Sequence, residues 1–505
     1  MAPMNRPHPS DCTHMSKIRL VSHTVSELSR RRRRLVLAVC CMSLLIVGLD
    51  NTIVNVALPS IGRQLHAPVS DLQWTVDAYT LVLASLLMLG GSMGDRLGRR
   101  RVFQTGLALF TLASLLCSAA PGLDWLIAFR MLQGVGGSML NPVAMSIIRN
   151  VFTDARERAQ AIGMWGATIG LSLALGPVLG GTLVQAIDWR AIFWINVPVG
   201  LLALALTMRF VPESRAPFPR RLDPVGQLLV IVLLASLTYA IIEAPQAGWL
   251  SGQTVGLFAL ASVTVAGLLA YEVRRTEPLL EPRFFRSIPF SGASVIAVCA
   301  FAALGAFLFL NTLYLQEIRG LSALTAGLYT LPIAAMTLFF APLSGHIVGR
   351  RGPRIALLAG GLGIMLGGLL LTGIEARTPL SSLLPAYFLF GMGFGMVNPP
   401  ITNTAVLGMP EAQAGVAAAV ASTSRQVGQT FGVALAGAIA AAGAAVVGPD
   451  FVDSSRAVWW IVACAGAAIV MLGLLSTTRR ASVSAKRVVA QSAIDTRSRS
   501  AALAE

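Results

Sequence analysis

Long runs of apolar residues recur along almost the whole chain, and they limit what it can fold into. A helix needs ~20 mostly apolar residues to cross the hydrocarbon core of a bilayer, so each run predicts one spanning helix. Fourteen runs cover residues 35–57, 72–93, 102–120, 125–147, 159–184, 191–211, 225–243, 254–271, 290–313, 325–347, 355–374, 382–404, 415–440 and 457–477. This pattern predicts an all-α integral membrane protein with about fourteen transmembrane helices.

The composition excludes several other classes of protein. The 505 residues are 55% hydrophobic and only 12% charged, whereas a soluble protein carries roughly 25% charged residues. A net charge of +16 suggests a nucleic-acid partner in a soluble protein, but here the arginines cluster at the ends of apolar runs. Neither lysine, Lys17 or Lys486, follows a glycine, so the chain has no Walker-type ATP loop. Scattered cysteines and histidines predict no metal site, and we expect no nucleic-acid partner.

Arginines are distributed unequally between the two sets of loops. The polar N-terminal segment ends in Arg30–Arg34, and the loops on its side of the membrane hold eighteen further arginines, against five in the opposite loops. Because basic residues favour the cytoplasmic side, this asymmetry predicts that both termini are cytoplasmic and that the number of spans is even. The predicted cytoplasmic tails cover residues 1–34 and 478–505.

Two motifs occur twice in the chain. Gly90–Arg101 reads GGSMGDRLGRRR, and its weaker copy, Gly345–Arg354, has Gly349 where the first copy has Asp95. Arg130–Pro142 matches Tyr387–Pro399, 257 residues later, and both segments end in Asn-Pro. A duplication into two six-helix halves accounts for both repeats. We therefore predict an N-terminal bundle over 35–211, a linker with two extra helices over 212–289 and a C-terminal bundle over 290–477.

These segments together resemble the major facilitator superfamily, specifically its fourteen-helix drug:proton antiporter branch. The sequence Gly-Asp-Arg-x-Gly-Arg-Arg after helix 2 is specific for the superfamily, and three further motifs are typical of the branch. They are Leu49–Pro59 in helix 1, Gly176–Gly181 in helix 5 and Trp189–Gly200 leading into helix 6. The resemblance covers about residues 35–477 and implies a major facilitator fold. It also implies a proton gradient as the energy source and no bound cofactor.

Two acids inside predicted helices are candidates for proton coupling. Asp50 lies well inside helix 1, where an aspartate costs about 2.5–3.5 kcal/mol on insertion scales and normally faces a cavity or a partner. Asn51 and Asn55 extend this polar flank. The resemblance implies that Asp50 is a protonatable or cation-contacting site, and the alternative is a carboxylate satisfied by neighbouring helices. Asp77, near the outer end of helix 2, is either a second functional acid or a residue that reaches the membrane interface.

Two polar groups in other helices complete the predicted cavity. A buried arginine stays charged and needs a partner, and Arg130 in helix 4 shares a helix face with Gln133. By resemblance Arg130 belongs to a motif associated with proton transfer, and the alternative is a structural ion pair. In helix 13, Arg425 and Gln426 lie on a stripe too polar for a lipid-facing surface. This stripe either lines the cavity or forms bonds between helices.

Two further motifs are associated with conformational change by resemblance. The loop after helix 2 is expected to act as a latch, in which the Asp95 carboxylate docks on a helix N-terminus. Small residues and a proline give helix 5 a smooth, kink-prone face, which implies an antiporter motif that seals the cavity; a plain packing helix is the alternative. The latch residues are Gly91, Asp95, Arg96, Gly98, Arg99 and Arg100, and the antiporter residues are Gly176, Pro177, Gly180 and Gly181.

These features predict a proton-coupled multidrug efflux transporter of the cytoplasmic membrane, and not an enzyme. Its expected partners are amphiphilic small molecules, protons and the lipid bilayer. We expect a monomer, and a periplasmic adaptor stays an open alternative. A dedicated exporter of one self-made antibiotic or metabolite is the alternative within this class. A membrane acyltransferase is a distant alternative that rests only on the spacing of His66 and Asp71, which stand alone in a predicted external loop.

Overall fold

A computed structural model describes residues 29–216, 222–275, 282–406, 414–443 and 449–488. Fourteen helices of at least 15 residues run through this part of the chain, and the residues described contain no strand. They are α1 Arg30–Leu65, α2 Val69–Leu97, α3 Arg99–Ser118, α4 Leu123–Val151, α5 Ala155–Ala186, α6 Asn196–Phe210, α7 Pro224–Ala247, α8 Gly252–Arg274, α9 Ile288–Leu313, α10 Leu331–Arg351, α11 Arg354–Leu371, α12 Leu384–Val406, α13 Ala414–Gly443 and α14 Pro449–Ser476. The all-helical membrane fold predicted from the apolar runs is confirmed.

Twelve helical segments are long and apolar enough to cross a membrane by length and composition. The other two long helices are α4, with 29 residues, and α13, with 30. Both carry polar groups in their middle, Arg130 in α4 and Arg425 in α13, and both pack against several neighbouring helices. That these two also cross the membrane, which would give fourteen spans, stays a prediction.

Local sequence explains where several helices begin and end. Asp154 caps α5, since its side chain accepts hydrogen bonds from the backbone N–H groups of Arg156 (3.0 Å) and Glu157 (2.8 Å). The predicted first span, 35–57, is too short, because α1 continues through Pro59 and ends only where His66 takes a left-handed conformation with φ 53°. This conformation gives His66 a structural role at a helix C-terminus.

The two halves of the chain pair their helices in the same order. In α1–α6 the most extensive contacts join α2 with α4, α3 with α4 and α1 with α5, and the corresponding pairs in α9–α14, α10 with α12, α11 with α12 and α9 with α13, are also extensive. The second half differs in one pair, because α11 contacts α14 more extensively than α3 contacts α6. The repeated glycines lie at these crossings. A Cβ on Gly136 would lie 2.5 Å from the backbone nitrogen of Phe110, and one on Gly393 would lie 2.5 Å from that of Ile364. The repeat therefore preserves close helix contacts that only small residues permit.

The helices α7 and α8 form an antiparallel pair that packs beside the first half and also touches the second. The Gln227 side chain of α7 donates a 2.5 Å hydrogen bond to the Ser85 carbonyl of α2. Near the other end of α7, Glu243 accepts a 3.4 Å hydrogen bond from the Trp74 indole. The contacts of α7 with α13 are apolar and involve Val427 and Phe431. The α7 helix thus lies over the line where α2 meets α13.

The bundle has two ends, which we name by the chain. The terminal face holds the start of α1 and the end of α14, and the far face holds the loops at the opposite ends. The described contacts between the two halves lie toward the far face. Arg63 forms a 2.6 Å ion pair with Glu317, and the Gln316 side chain donates a 2.9 Å hydrogen bond to the Val56 carbonyl. The halves are therefore closed against each other at the far face.

Candidate functional site

A fully buried ion pair joins α1 to α4. The Arg130 guanidinium contacts the Asp50 carboxylate, and both side chains have 0% exposure. Sequence alone did not establish that these two residues are neighbours. Arg130 also donates a 2.9 Å hydrogen bond from Nε to the Thr75 carbonyl of α2, and its guanidinium lies 4.4 Å from the centre of the Tyr79 ring. Three helices therefore hold the cation in place.

Neutral amides complete the hydrogen bonding of the Asp50 carboxylate. Gln133 donates to Asp50 Oδ1 at 2.8 Å and accepts from Arg130 Nη1 at 2.7 Å. Asn196, at the start of α6, donates to the same oxygen at 3.2 Å. Gln133 in turn donates a 2.9 Å hydrogen bond to Ser114 of α3. A buried charge is tolerated when such partners surround it, so this network explains how α1 carries an acid.

Sequence reasoning placed Asp50, Arg130 and Gln133 in the site but missed Asn196, Ser114 and Tyr79. Asn196 lies within the Trp189–Gly200 segment that was singled out as a motif, so its position inside an apolar region was an available signal. A serine or tyrosine inside an apolar run carries no comparable signal, because either residue is common in packed helices.

Asp77 lies at the boundary between the two halves, and whether it is a second functional acid or a residue that reaches the membrane interface stays open. Its side chain has 0% exposure. One oxygen accepts a 3.4 Å hydrogen bond from Thr80, and Oδ2 has no hydrogen-bond partner in the described residues. Thr80 also accepts a 2.9 Å hydrogen bond from Thr430 of α13. Asp77 is therefore a buried acid without a cation, one turn from a contact that joins the halves.

The asparagines of α1 lie beside the ion pair without joining it. Asn55 donates a 2.9 Å hydrogen bond to the backbone carbonyl of Asn51. The side-chain oxygens of both residues are buried and have no partner among the residues described. These two buried oxygens can therefore accept hydrogen bonds from water or from a bound solute.

Arg425 is a second arginine inside the bundle, and none of the described acids forms an ion pair with it. Its guanidinium donates to Thr402 of α12 and lies 5.9 Å from the centre of the Phe301 ring. The Nε atom of Arg425 and the side-chain oxygen of Gln426 are buried without a described partner. The predicted polar stripe of α13 thus faces α9 and α12, and it keeps free hydrogen-bonding capacity.

The glycine motif of α5 lies against α1 and against the second half. A Cβ on Gly180 would lie 2.7 Å from the Ile53 side chain, and one on Gly181 would lie 2.5 Å from the Ala323 carbonyl. Gly176 contacts Thr52, whose hydroxyl donates a 3.2 Å hydrogen bond to the Ser172 carbonyl. Pro177 meets Gly327 of the short helix Ala323–Tyr329. These residues close the contact between α5 and the second half, which lies apart from the contact between α2 and α13.

The loop motif after α2 bonds within the first half in the part of the chain that the structure describes. Asp95 accepts hydrogen bonds from the side chain of Arg99 at 2.9 and 3.2 Å in this conformation, and the docking of its carboxylate on a helix N-terminus stays a prediction. Gly98 has φ 116°, and a Cβ there would lie 2.6 Å from the Glu213 carboxylate. Glu213 accepts from the Arg100 N–H at 3.2 Å.

The remaining latch residues differ in their surroundings. Gly91 lies against Pro142 of α4, where a Cβ would meet the proline ring at 3.4 Å. Arg96 is exposed at the terminal face and lines a cavity there together with Arg101 and Arg215.

Among the described residues, no cluster of three or more histidine, cysteine or acidic side chains has a geometry that would hold a metal ion.

Two similarly paired helical halves, closed at one face around buried charges, define a membrane transporter built from a duplicated bundle. The sequence profile of the Major Facilitator Superfamily matches residues 40–433. The chain belongs to this superfamily.

Relatives and solved structures agree with this assignment. The chain is 38% identical over 412 residues to the multidrug resistance protein Stp of Mycobacterium tuberculosis. These 412 residues cover 82% of this chain and 76% of that protein. It is 35% identical over 435 residues to the tetracenomycin C resistance and export protein of Streptomyces glaucescens, with 85% and 80% covered. The D-xylose-proton symporter has the same fold, with a TM-score of 0.63 at 17% identity over 88% of this chain and 97% of that one.

Proposed function

We propose that this protein is a proton-coupled efflux transporter that exports amphiphilic toxic compounds or antibiotics. The relatives with 34–38% identity include a multidrug resistance protein and a multidrug efflux pump, which supports drug efflux. The single observation that carries proton coupling is the buried pair of Asp50 and Arg130, because a carboxylate that a proton can neutralise lies inside the bundle without contact to solvent.

Orientation is the first part of this proposal. The excess of arginines at the terminal face supports placing both termini in the cytoplasm of a cell with a bacterial-type membrane. The far face is then external, and the closed contacts there correspond to a state that opens toward the cytoplasm. Reporter fusions after Arg221 and Arg286 should both report a cytoplasmic location. An external signal from either fusion contradicts this topology.

Coupling requires that the protonation of Asp50 change the contacts between the halves. A proton on Asp50 removes the charge that holds Arg130, so the carboxyl group binds either the proton or the guanidinium. Thr52, two residues further along α1, packs against Gly176 of α5. The same helix α5 contacts the second half through Gly181. A shift of α1 at Asp50 is therefore one helix away from the seal at the far face.

The energy available from this exchange is sufficient for export. One proton that crosses ~100 mV supplies about 2.3 kcal/mol. That free energy supports roughly a fifty-fold concentration gradient of a neutral solute. The chain needs no other energy source and no cofactor on this proposal, and it needs no partner protein for the transport step itself.

The polar atoms without partners supply the proposed substrate contacts. Asn51 and Asn55 lie on the first half, and Arg425 and Gln426 lie on the second, so a solute between the halves would meet hydrogen-bonding groups on both sides. A dedicated exporter of one antibiotic is the second candidate, supported by the printed names of relatives such as the puromycin resistance protein of Streptomyces alboniger, 38% identical over 405 residues.

Purified protein in proteoliposomes tests the proposal directly. An outward-directed proton gradient, with an acidic lumen, should drive the accumulation of a substrate such as a lipophilic cationic dye inside the vesicles, and addition of the substrate outside should produce proton flux in the opposite direction, out of the lumen. Transport that continues at the same rate after the proton gradient is collapsed contradicts coupling. A drug-susceptibility panel in a host that lacks its own pumps separates the two candidates, since a dedicated exporter protects against one chemical class only.

A further inference from the structure

A cavity of about 580 Å³ opens at the terminal face, between the start of α9 and a helix that follows α14 over residues 479–488. Four arginines line it together with three apolar residues and a serine. The arginines are Arg286, Arg479, Arg480 and Arg487, the apolar residues are Ile288, Val483 and Val488, and the serine is Ser484. This cavity lies outside the site described above and has no part in the proposed transport cycle.

The helix over 479–488 is fixed to the bundle, so its arginines are held in position. Ser484 accepts a 3.0 Å hydrogen bond from the backbone N–H of Ile288 at the start of α9. Thr478 caps the helix by accepting from the N–H of Ala481 at 3.2 Å. Ala481 and Ala485 form its buried side, with 0% and 5% exposure. The opposite side therefore presents its basic residues to the cavity and to solvent.

The four arginines have no ion pair with any acid that the structure describes, whereas some arginines at the same face do. Arg33 pairs with Glu157 at 2.5 Å, and Arg99 pairs with Asp95 at 2.9 Å. Four like charges around one cavity repel each other, and a guanidinium matches the oxygens of a phosphate or carboxylate with two parallel hydrogen bonds. The cavity is therefore complementary to an anion that carries several oxygens.

The position and the apolar margin of the cavity identify the kind of anion. The spanning segments Ile288–Ile318 and Phe451–Ser476 both end at this level, where lipid headgroups lie. Ile288 and Val483 are 41% and 48% exposed, and the nearby Leu475 is 53% exposed. We propose that this cavity binds the phosphodiester headgroup of an anionic membrane lipid, whose acyl chains lie along the exposed apolar flank.

Native mass spectrometry of the full-length protein in neutral detergent tests this site. Parent protein is titrated with phosphatidylglycerol, phosphatidylcholine and inorganic phosphate in separate series. The site variant is Arg479→Gln/Arg480→Gln/Arg487→Gln. The matched control, Arg350→Gln/Arg351→Gln/Arg354→Gln, removes three exposed arginines at the same face that do not line the cavity.

The expected result is a first phosphatidylglycerol adduct that forms more tightly than the phosphatidylcholine adduct and that the site variant weakens. At about 1 kcal/mol for each arginine, the loss of affinity is on the order of a hundredfold, and the control should change by less than about twofold. Equal losses in both variants, or no loss in the site variant, overturn the proposal. Inorganic phosphate that displaces the lipid at equal concentration also overturns it, because the site then recognises a free anion.

Two further measurements separate a lost site from a lost fold. The melting temperature of the site variant in lipid-free detergent should be equal to or higher than that of the parent, because the arginines have no described ion-pair partner and repel each other. Phosphatidylglycerol should then raise the melting temperature of the parent and not that of the site variant. If the triple variant does not fold, Arg480→Gln alone should weaken the first adduct by roughly fivefold. An unchanged adduct in this single variant counts against the site.

Discussion

Removal of the charges of Asp50 and Arg130, singly and together, separates a structural ion pair from a proton-coupling site. Asp50→Asn leaves a charged guanidinium without a counter-ion at 0% exposure, and Arg130→Gln leaves a bare carboxylate in the same place. Loss of one partner of a buried pair costs about 3–5 kcal/mol. The double variant contains no buried charge at this position and keeps amides that can bond with Gln133 and Asn196. Its stability should lie close to that of the parent.

The double-mutant cycle should therefore show a coupling free energy of about 6–10 kcal/mol, the sum of the two single losses, measured from unfolding in detergent by tryptophan fluorescence. A control cycle on Arg101 and Glu213 uses an ion pair with a 3.8 Å separation whose arginine side chain is 71% exposed. That pair should give about 0–1 kcal/mol. A coupling energy for Asp50 and Arg130 as small as the control value refutes the burial argument.

Transport by the double variant decides the functional question. The double variant should fold, equilibrate substrate down a gradient and fail to concentrate it, because no titratable group remains at this position. A purely structural pair predicts the opposite, since restored stability should then restore active export. If the double variant concentrates substrate at the parental rate, coupling resides elsewhere, and Asp77 is the next residue to examine.

Three further perturbations test the closure of the halves. Gly437→Leu should favour opening at the far face by about 1–3 kcal/mol, because a side chain at this position collides with Gln73. The labelling of cysteines introduced at the far face should then rise. The control Gly256→Leu places its side chain in open space and should leave the labelling unchanged. Arg63→Glu alone or Glu317→Arg alone should weaken closure by less than about 1 kcal/mol. The variant that carries both substitutions should return the labelling to the parental level. Asp95→Asn removes the charge that pairs with Arg99 of the next helix, so export should fall at unchanged protein level, and equal export counts against a latch.

The number and order of helices follow from the sequence because each apolar run must satisfy its backbone hydrogen bonds within one helix. The end of α1 could not be read from hydropathy, since Pro59 lies inside the helix and His66 ends it through a backbone conformation. The apolar run at 125–147 predicted α4 in spite of its polar residues, several of which are buried in the bundle.

The candidate site was only partly predictable for a related reason. An acid or an arginine inside an apolar run can be recognised from the sequence as a candidate site residue, because its transfer into a membrane is unfavourable. Which two of them meet depends on how helices far apart in sequence rotate about their axes, and no local pattern gives that angle. Asp77 illustrates the limit: the sequence left its surroundings open between a functional acid and an interface residue, and only the packing of α13 against α2 shows that its side chain is fully buried.

The placement of α7 has a consequence for how the two halves move. The described hydrogen bonds of Gln227 and Glu243 join it to α2, whereas its packing contacts with Val427 and Phe431 of α13 are apolar and non-directional. When the halves rock, we expect α7 to travel with the first half as one body and to slip across Val427 and Phe431. The helices α7 and α8 then move with the first half as a rigid unit. They cover one side of the boundary between the two halves and keep lipid chains out of it.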